Sequence, residues 1–256
     1  MPTKTKCYRQ NFLSQVILRA DFGTSPIELP SERTKFTDAI AKKFPHVSQN
    51  SLVSVQFEVT SGEPGNVKHS PIGNQWTHTK TVAGTAKIVL STQFLSLEYG
   101  PGDYESFDAF FKEFTFLTRQ LTKTFGTFPL DRIGLRYVNE IRLPGKAMDW
   151  EDIVRKEMVT AVTTPSATGG RLLRSMHQVV ELHEQDQVLL NYGLFNPDFP
   201  APAVQRYFVI DVDCSRTGVI PINEALTCVK KLNDHAGEVF ESSIEDGLRE
   251  IMGVIE

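Results

Sequence analysis

The sequence predicts an α+β fold, an antiparallel sheet built from two β-α-β-β-β-α repeats with the long helices packed on one face. Three observations carry this. Segments in which apolar and polar residues alternate recur along the chain, as half-buried strands require. Two long stretches place apolar residues at helical spacing. The order strand, short helix, three strands, long helix occurs twice, over about 11–126 and again over about 131–252, within one domain spanning 1–256.

The first strand is Phe12 to Phe22, with Phe12, Val16, Leu18 and Ala20 on one parity and Leu13, Ile17 and Arg19 on the other. Ser31 after Pro30 can cap a short helix whose Phe36, Ala39, Ile40 and Phe44 share a side, and Pro45 stops it. Three strands follow, at Leu52 to Thr60, Gln75 to Val82 and Thr85 to Tyr99, with turns at Gly62-Glu63-Pro64-Gly65 and Ala83-Gly84. Asp103 can cap the first long helix, whose stripe is Phe107, Phe110, Phe111, Phe114, Leu117, Leu121 and Phe125. Apolar residues at that spacing form core far more often than a ligand wall.

The order then restarts. Arg132 to Leu143 is a strand, and Asp149 can cap a short helix from Trp150 to Val162 with Trp150, Ile153, Val154, Met158 and Val162 inward. A polar loop covers Thr163 to Gly170. Strands at Leu172 to Glu184, Val188 to Phe195 and Arg206 to Cys214 lead to a last helix from about Asn223 to Met252, which Gly237 and Gly247 can kink.

Composition narrows the functional classes. The 256 residues are 40% hydrophobic and 23% charged, ordinary globular proportions. No apolar run reaches the ~18 residues of a membrane span, and the N-terminus lacks a secretory signal, so a soluble, cytoplasmic protein without membrane contact is expected. Twenty-seven Lys plus Arg against 31 Asp plus Glu leave a net charge of −4, opposite in sign to a generic nucleic-acid binder. Cys7, Cys214 and Cys228 fit neither a disulfide framework nor a zinc knuckle, and reduced thiols are expected.

The most unusual segment is Arg132-Ile133-Gly134-Leu135-Arg136-Tyr137-Val138-Asn139-Glu140-Ile141-Arg142-Leu143. Period two places Ile133, Leu135, Tyr137, Asn139, Ile141 and Leu143 on one face and Arg132, Gly134, Arg136, Glu140 and Arg142 on the other. The bland reading is a solvated face with Glu140 between arginines. The functional one is a site for an anion or an acidic partner, because Arg forks bind phosphate and carboxylate in a bidentate way and Gly134 leaves room for close approach. Asp211 and Asp213 share a strand face and could hold a divalent cation; His177, Glu181 and His183 share another and could complete a mixed centre if the two strands are neighbours. The solvated polar face is the alternative for all five. His235, in a helix, reads as an ordinary hydrogen-bonded histidine.

The Arg132 to Asn139 run, Leu143-Pro144, Asp211-Val212-Asp213 and the helix holding Leu232-Asn233-Asp234-His235 and Val239-Phe240-Glu241 together resemble an uncharacterised, sporadically distributed prokaryotic family of about this length. The resemblance implies a single compact domain and a dispensable gene of mobile or defence islands. It carries no catalytic residue or cofactor.

No nucleophile elbow, P-loop or dinucleotide fingerprint occurs, so no cofactor is expected and catalysis is disfavoured. The leading expectation is a non-enzymatic interaction or accessory protein that binds a protein partner through the face of Arg132, Arg136, Glu140 and Arg142, with Tyr137 in the site. A homo-oligomer is compatible with it. The second is a nucleic-acid or nucleotide binder that uses the arginines for phosphates and Tyr137, Trp76 or Tyr192 for stacking. A metal-assisted phosphohydrolase built on Asp211, Asp213 and Glu181 is the third.

Overall fold

The structure, a computed structural model, describes residues 7–24, 30–58, 66–146, 149–163 and 170–255. In chain order the elements are β1 (Cys7–Tyr8), β2 (Leu13–Phe22), α1 (Pro30–Ile40), β3 (His46–Glu58), β4 (Asn66–Thr79), β5 (Lys87–Ser91), β6 (Phe94–Tyr99), α2 (Phe107–Phe125), β7 (Pro129–Leu143), α3 (Lys156–Thr163), β8 (Ser175–His183), β9 (Asp186–Leu194), β10 (Arg206–Pro221), α4 (Ala225–Ser243), α5 (Asp246–Met252) and β11 (Val254–Ile255). Nine strands form one antiparallel sheet in the order β3-β4-β5-β6-β2-β7-β10-β9-β8, and β1 pairs separately with β11. The fold is therefore mixed α and β with an antiparallel sheet, as the alternation predicts.

Alternation decides the two faces of this sheet. Val16, Leu18 and Ala20 of β2, Ile133 and Leu135 of β7, and Phe208, Ile210, Val212 and Cys214 of β10 are buried on the core face. They belong to one cluster with Phe36 and Ile40 of α1, with Phe110, Phe114, Leu117 and Leu121 of α2, and with Val229 and Leu232 of α4. Burying each such large side chain stabilises the fold by about 1.5–3 kcal/mol. The intervening residues of β2, β7 and β10 carry the charges, so the opposite face is polar.

Several boundaries differ from the sequence reading, each for a local reason. The strand expected from Thr85 to Tyr99 is a hairpin, β5 and β6, because the Ser91 hydroxyl accepts from the backbone N–H groups of Gln93 and Phe94 and turns the chain there. Asp103 does not cap α2. It sits in a turn closed by its N–H to the Gly100 carbonyl and its carboxylate receives the Thr85 hydroxyl, while Ser106 is the N-cap and accepts from the Ala109 N–H. The helix expected from Trp150 begins only at Lys156, since Asp152 takes a positive φ of 59° and Val154 bridges to Ile244. That bridge also splits the last helix into α4 and α5 at an extended Ile244, so the break falls at neither Gly237 nor Gly247. The turn at 62–65 and most of the loop at 163–170 lie outside the described residues.

Candidate functional site

The site grows from three adjacent strands. β7 lies between β2 and β10, with Arg136 opposite Ile17 on one side and Asp213 on the other, and Gly134 opposite Arg19 and Ser215. Because period two sends alternate side chains to opposite faces, Arg19, Asp21, Arg132, Arg136, Asp211 and Asp213 all project from the polar face. There they line or border a 430 Å³ concavity whose wall also includes Ile17, Val89, Phe94, Ser96 and Glu98.

Within it the arginines are paired. The Arg136 guanidinium donates from Nε to Asp211 Oδ1 and from Nη2 to Asp211 Oδ2, both at 2.8 Å, and Asp211 also accepts from Asn191 at 3.2 Å. The Asp211 side chain is 8% exposed, so the fork supplies the charge compensation that a buried carboxylate needs. Arg132 reaches Asp213 at 3.4 Å and Asp21 at 3.7 Å. Burial raises the Asp213 carboxyl above its ordinary value despite Arg132 and Arg136 beside it. Arg19 pairs with Asp21 at 2.6 Å and lies over the Phe94 ring at 3.9 Å.

Gly134 leaves room, but for a different neighbour than the sequence suggests. A Cβ there would stand 2.8 Å from Arg132 Nη1, so the room the glycine leaves is taken by the guanidinium two residues back, folded over the strand toward Asp213. At the far end of β7, Arg142 donates to Glu140 at 2.6 Å and to the Tyr207 hydroxyl at 2.9 Å, and lies over the Tyr207 ring. Burial would raise the Glu140 carboxyl, but hydrogen bonds from Tyr207, Arg142 and Ser14 outweigh it and lower it.

Of the five candidates on β7, Arg132, Arg136, Glu140 and Arg142 share the polar face, and Tyr137 does not. Its hydroxyl donates to Asn233 of α4 at 2.8 Å and its ring packs edge-on against Tyr104. Trp76, opposite buried Leu90, and Tyr192, opposite buried Ile210, likewise point to the core face. None of the three aromatic residues proposed to stack on bases is therefore available to the arginines.

The five metal candidates do not converge. β9 separates β8 from β10, and the register aligns His177 with Tyr192 and Ile210, and Glu181 with Val188 and Cys214, all on the core face. Asp211 and Asp213 point the other way, engaged by Arg136 and Arg132. Among the described residues no group of three or more His, Cys, Asp or Glu is placed to hold a metal ion. His183 instead meets Glu181 at 3.0 Å, and His235 stands 3.4 Å from Asp186, a carboxylate fully buried beneath a bidentate Arg216. Cys214 and Cys228 are buried, and burial pushes their thiols up to about 12 and about 11, which keeps them protonated and unreactive.

The sequence reading missed the contribution of the first half: Arg19, Asp21, Phe94 and Glu98 complete the concavity. The signal was present in β2, where Arg19 and Asp21 alternate with Leu18 and Ala20. What it lacked was the pairing of β2 with β7. No family model matches the chain, and a search of curated proteins finds no match either. No helix among the described residues is long and apolar enough to cross a membrane.

Proposed function

We propose that the chain is a non-enzymatic interaction protein that holds a partner protein in the concavity of its polar sheet face, around Arg19, Arg132 and Arg136, with Glu140 and Arg142 extending the contact. One observation carries this reading. The concavity is charge-balanced, with Arg19, Arg132 and Arg136 against Asp21, Glu98 and Asp213. A phosphate backbone is held by excess positive charge, which such a lining does not offer. A protein surface of mixed charge, with an apolar group to set against Phe94 and Ile17, matches it better. The same pairing disfavours the nucleotide reading, and the dispersal of the acidic and histidine residues disfavours the phosphohydrolase.

Two further elements belong to the proposal. The two halves descend from a duplication, supported by the strand order: β2 and β7 lie side by side at the centre, and each is followed by strands that return from an edge, four in the first half rather than the expected three and three in the second, ending in β6 beside β2 and β10 beside β7. An accessory role in a mobile or defence locus follows from the sequence resemblance.

The test is native mass spectrometry of the tagged chain isolated from its own host, beside an Arg19→Glu variant. Arg19 is 44% exposed; the variant gives up a pair with Asp21 worth at most about 1 kcal/mol and a contact over Phe94 of about 0.5–1 kcal/mol, so its melting temperature should fall by only a few degrees and its fold should persist. The expected result is a stoichiometric protein bound to the wild-type chain and lost from the variant. A partner retained by R19E, a bare chain, or a co-purifying nucleic acid released steeply by salt would each overturn the reading.

A further inference from the structure

β8 closes one end of the sheet. It pairs with β9 alone, so among the described residues no strand meets the backbone N–H and C=O groups along its other side. Four large apolar side chains are exposed on this one strand, Met176, Val179, Val180 and Leu182, the last at 75%. The strand has neither Lys nor Pro, residues that commonly blunt a free edge against pairing.

We propose that the free edge of β8 is a homodimer interface, pairing antiparallel with β8 of a second copy of this chain about a two-fold axis at Val179. The nine residues are self-complementary in that register. With Val179 opposite itself, Met176 faces Leu182, His177 faces Glu181 and Gln178 faces Val180, each twice because the interface is isologous. The Met–Leu pairs then cover apolar surface on the polar face of the sheet, and the His–Glu pairs set a carboxylate against an imidazole on the core face. Moving the axis one residue to Val180 destroys this: Leu182 would face Gln178, Glu181 would face Val179 and His177 would face His183. An unrelated strand would have no reason to find its own pattern reversed here, which is why the occupant is a second copy. The pairing joins two nine-stranded sheets edge to edge and is independent of the partner proposed above.

The experiment reads oligomeric state and register together. Val179→Cys and Leu182→Cys are prepared separately in a Cys7→Ser background and treated with a mild oxidant, while sedimentation velocity follows the wild type, His177→Glu and the double variant H177E/E181K. Two copies of position 179 face each other across the axis at about 4.5–5.5 Å between Cα atoms, so V179C should form a disulfide-linked dimer. Two copies of position 182 lie about 20 Å apart along the strands, so L182C should not. His177→Glu opposes two carboxylate pairs and should weaken the dimer by about tenfold or more, and adding Glu181→Lys should restore it. A wild-type chain that sediments as a monomer at every concentration overturns the proposal. So does equal cross-linking at 179 and 182, or a double variant no better associated than H177E.

Discussion

His78 is enclosed completely on the core face, and among the described residues neither ring nitrogen meets a hydrogen-bond partner. Burial, with the charge of Arg33 adding to it, lowers its pKa from 6.5 to about 4. A histidine depressed in the folded state takes up its proton first in the unfolded chain. Its contribution to stability is therefore fully present above pH 6.5 and is lost as pH falls toward 4, by about 3 kcal/mol in all. The expected outcome is a melting temperature that drops across this window in the wild type and drops less in His78→Leu, which should be the more stable protein at pH 5. Equal pH profiles for the two would show that His78 is protonated alike in both states. Arg136 is the opposite case on the polar face. It compensates Asp211 through two short bonds, and removing it would strand a carboxylate that is 8% exposed, whereas the half-exposed Arg19 holds Asp21 and covers Phe94 and can be reversed at smaller cost.

Between elements, the attachment of β8 to the sheet depends on Gly193. This residue of β9 lies opposite Met176 with φ of 151°, and a Cβ would stand 2.0 Å from the backbone carbonyl oxygen of Ser175. Side chains rarely adopt that conformation, and here the obstacle is backbone that cannot rotate away. Gly193→Ala should cost about 1–3 kcal/mol or more and loosen β8 from β9, seen as faster amide exchange in β8 before any change in β7. Exchange in β8 that stayed as slow as in the wild type would mean that the pairing of β8 with β9 does not depend on Gly193. The same substitution should remove the dimer, because the edge that forms it would no longer be held.

Across the whole molecule, order in the sheet sets order in stability. β2, β7 and β10 are each paired on both sides, and β7 runs fifteen residues between the other two, while β8 and the described length of β3 have one neighbour each. Amide exchange should be slowest in β7 and its two partners and fastest at the two ends, with β8 slowing as concentration rises into the dimer. A β8 whose protection is independent of concentration would count against the edge pairing. The concavity also belongs to this scale, because its lining comes from both halves of the chain: Arg19 and Glu98 from the first, Arg132 and Asp213 from the second.

Local pattern located most of the strands and helices and the buried sides of β7 and α2, while several boundaries escaped it. The alternation in β7 separated Ile133, Leu135 and Ile141 on the core side from Arg132, Arg136, Glu140 and Arg142 on the other, whereas in β2 both parities read as partly covered. The Phe110, Phe114, Leu117 and Leu121 stripe marked the buried side of α2. These are properties of period 2 and period 3.6, which act within a few residues. Strand neighbours are set by contacts between residues far apart in the chain, so what each charge meets follows from the assembled sheet. It brought Asp21 to Arg132 and Asp211 to Arg136, turned Tyr137, Trp76 and Tyr192 away from them, put the histidines of β8 behind the sheet from Asp211, and left β8 at an edge.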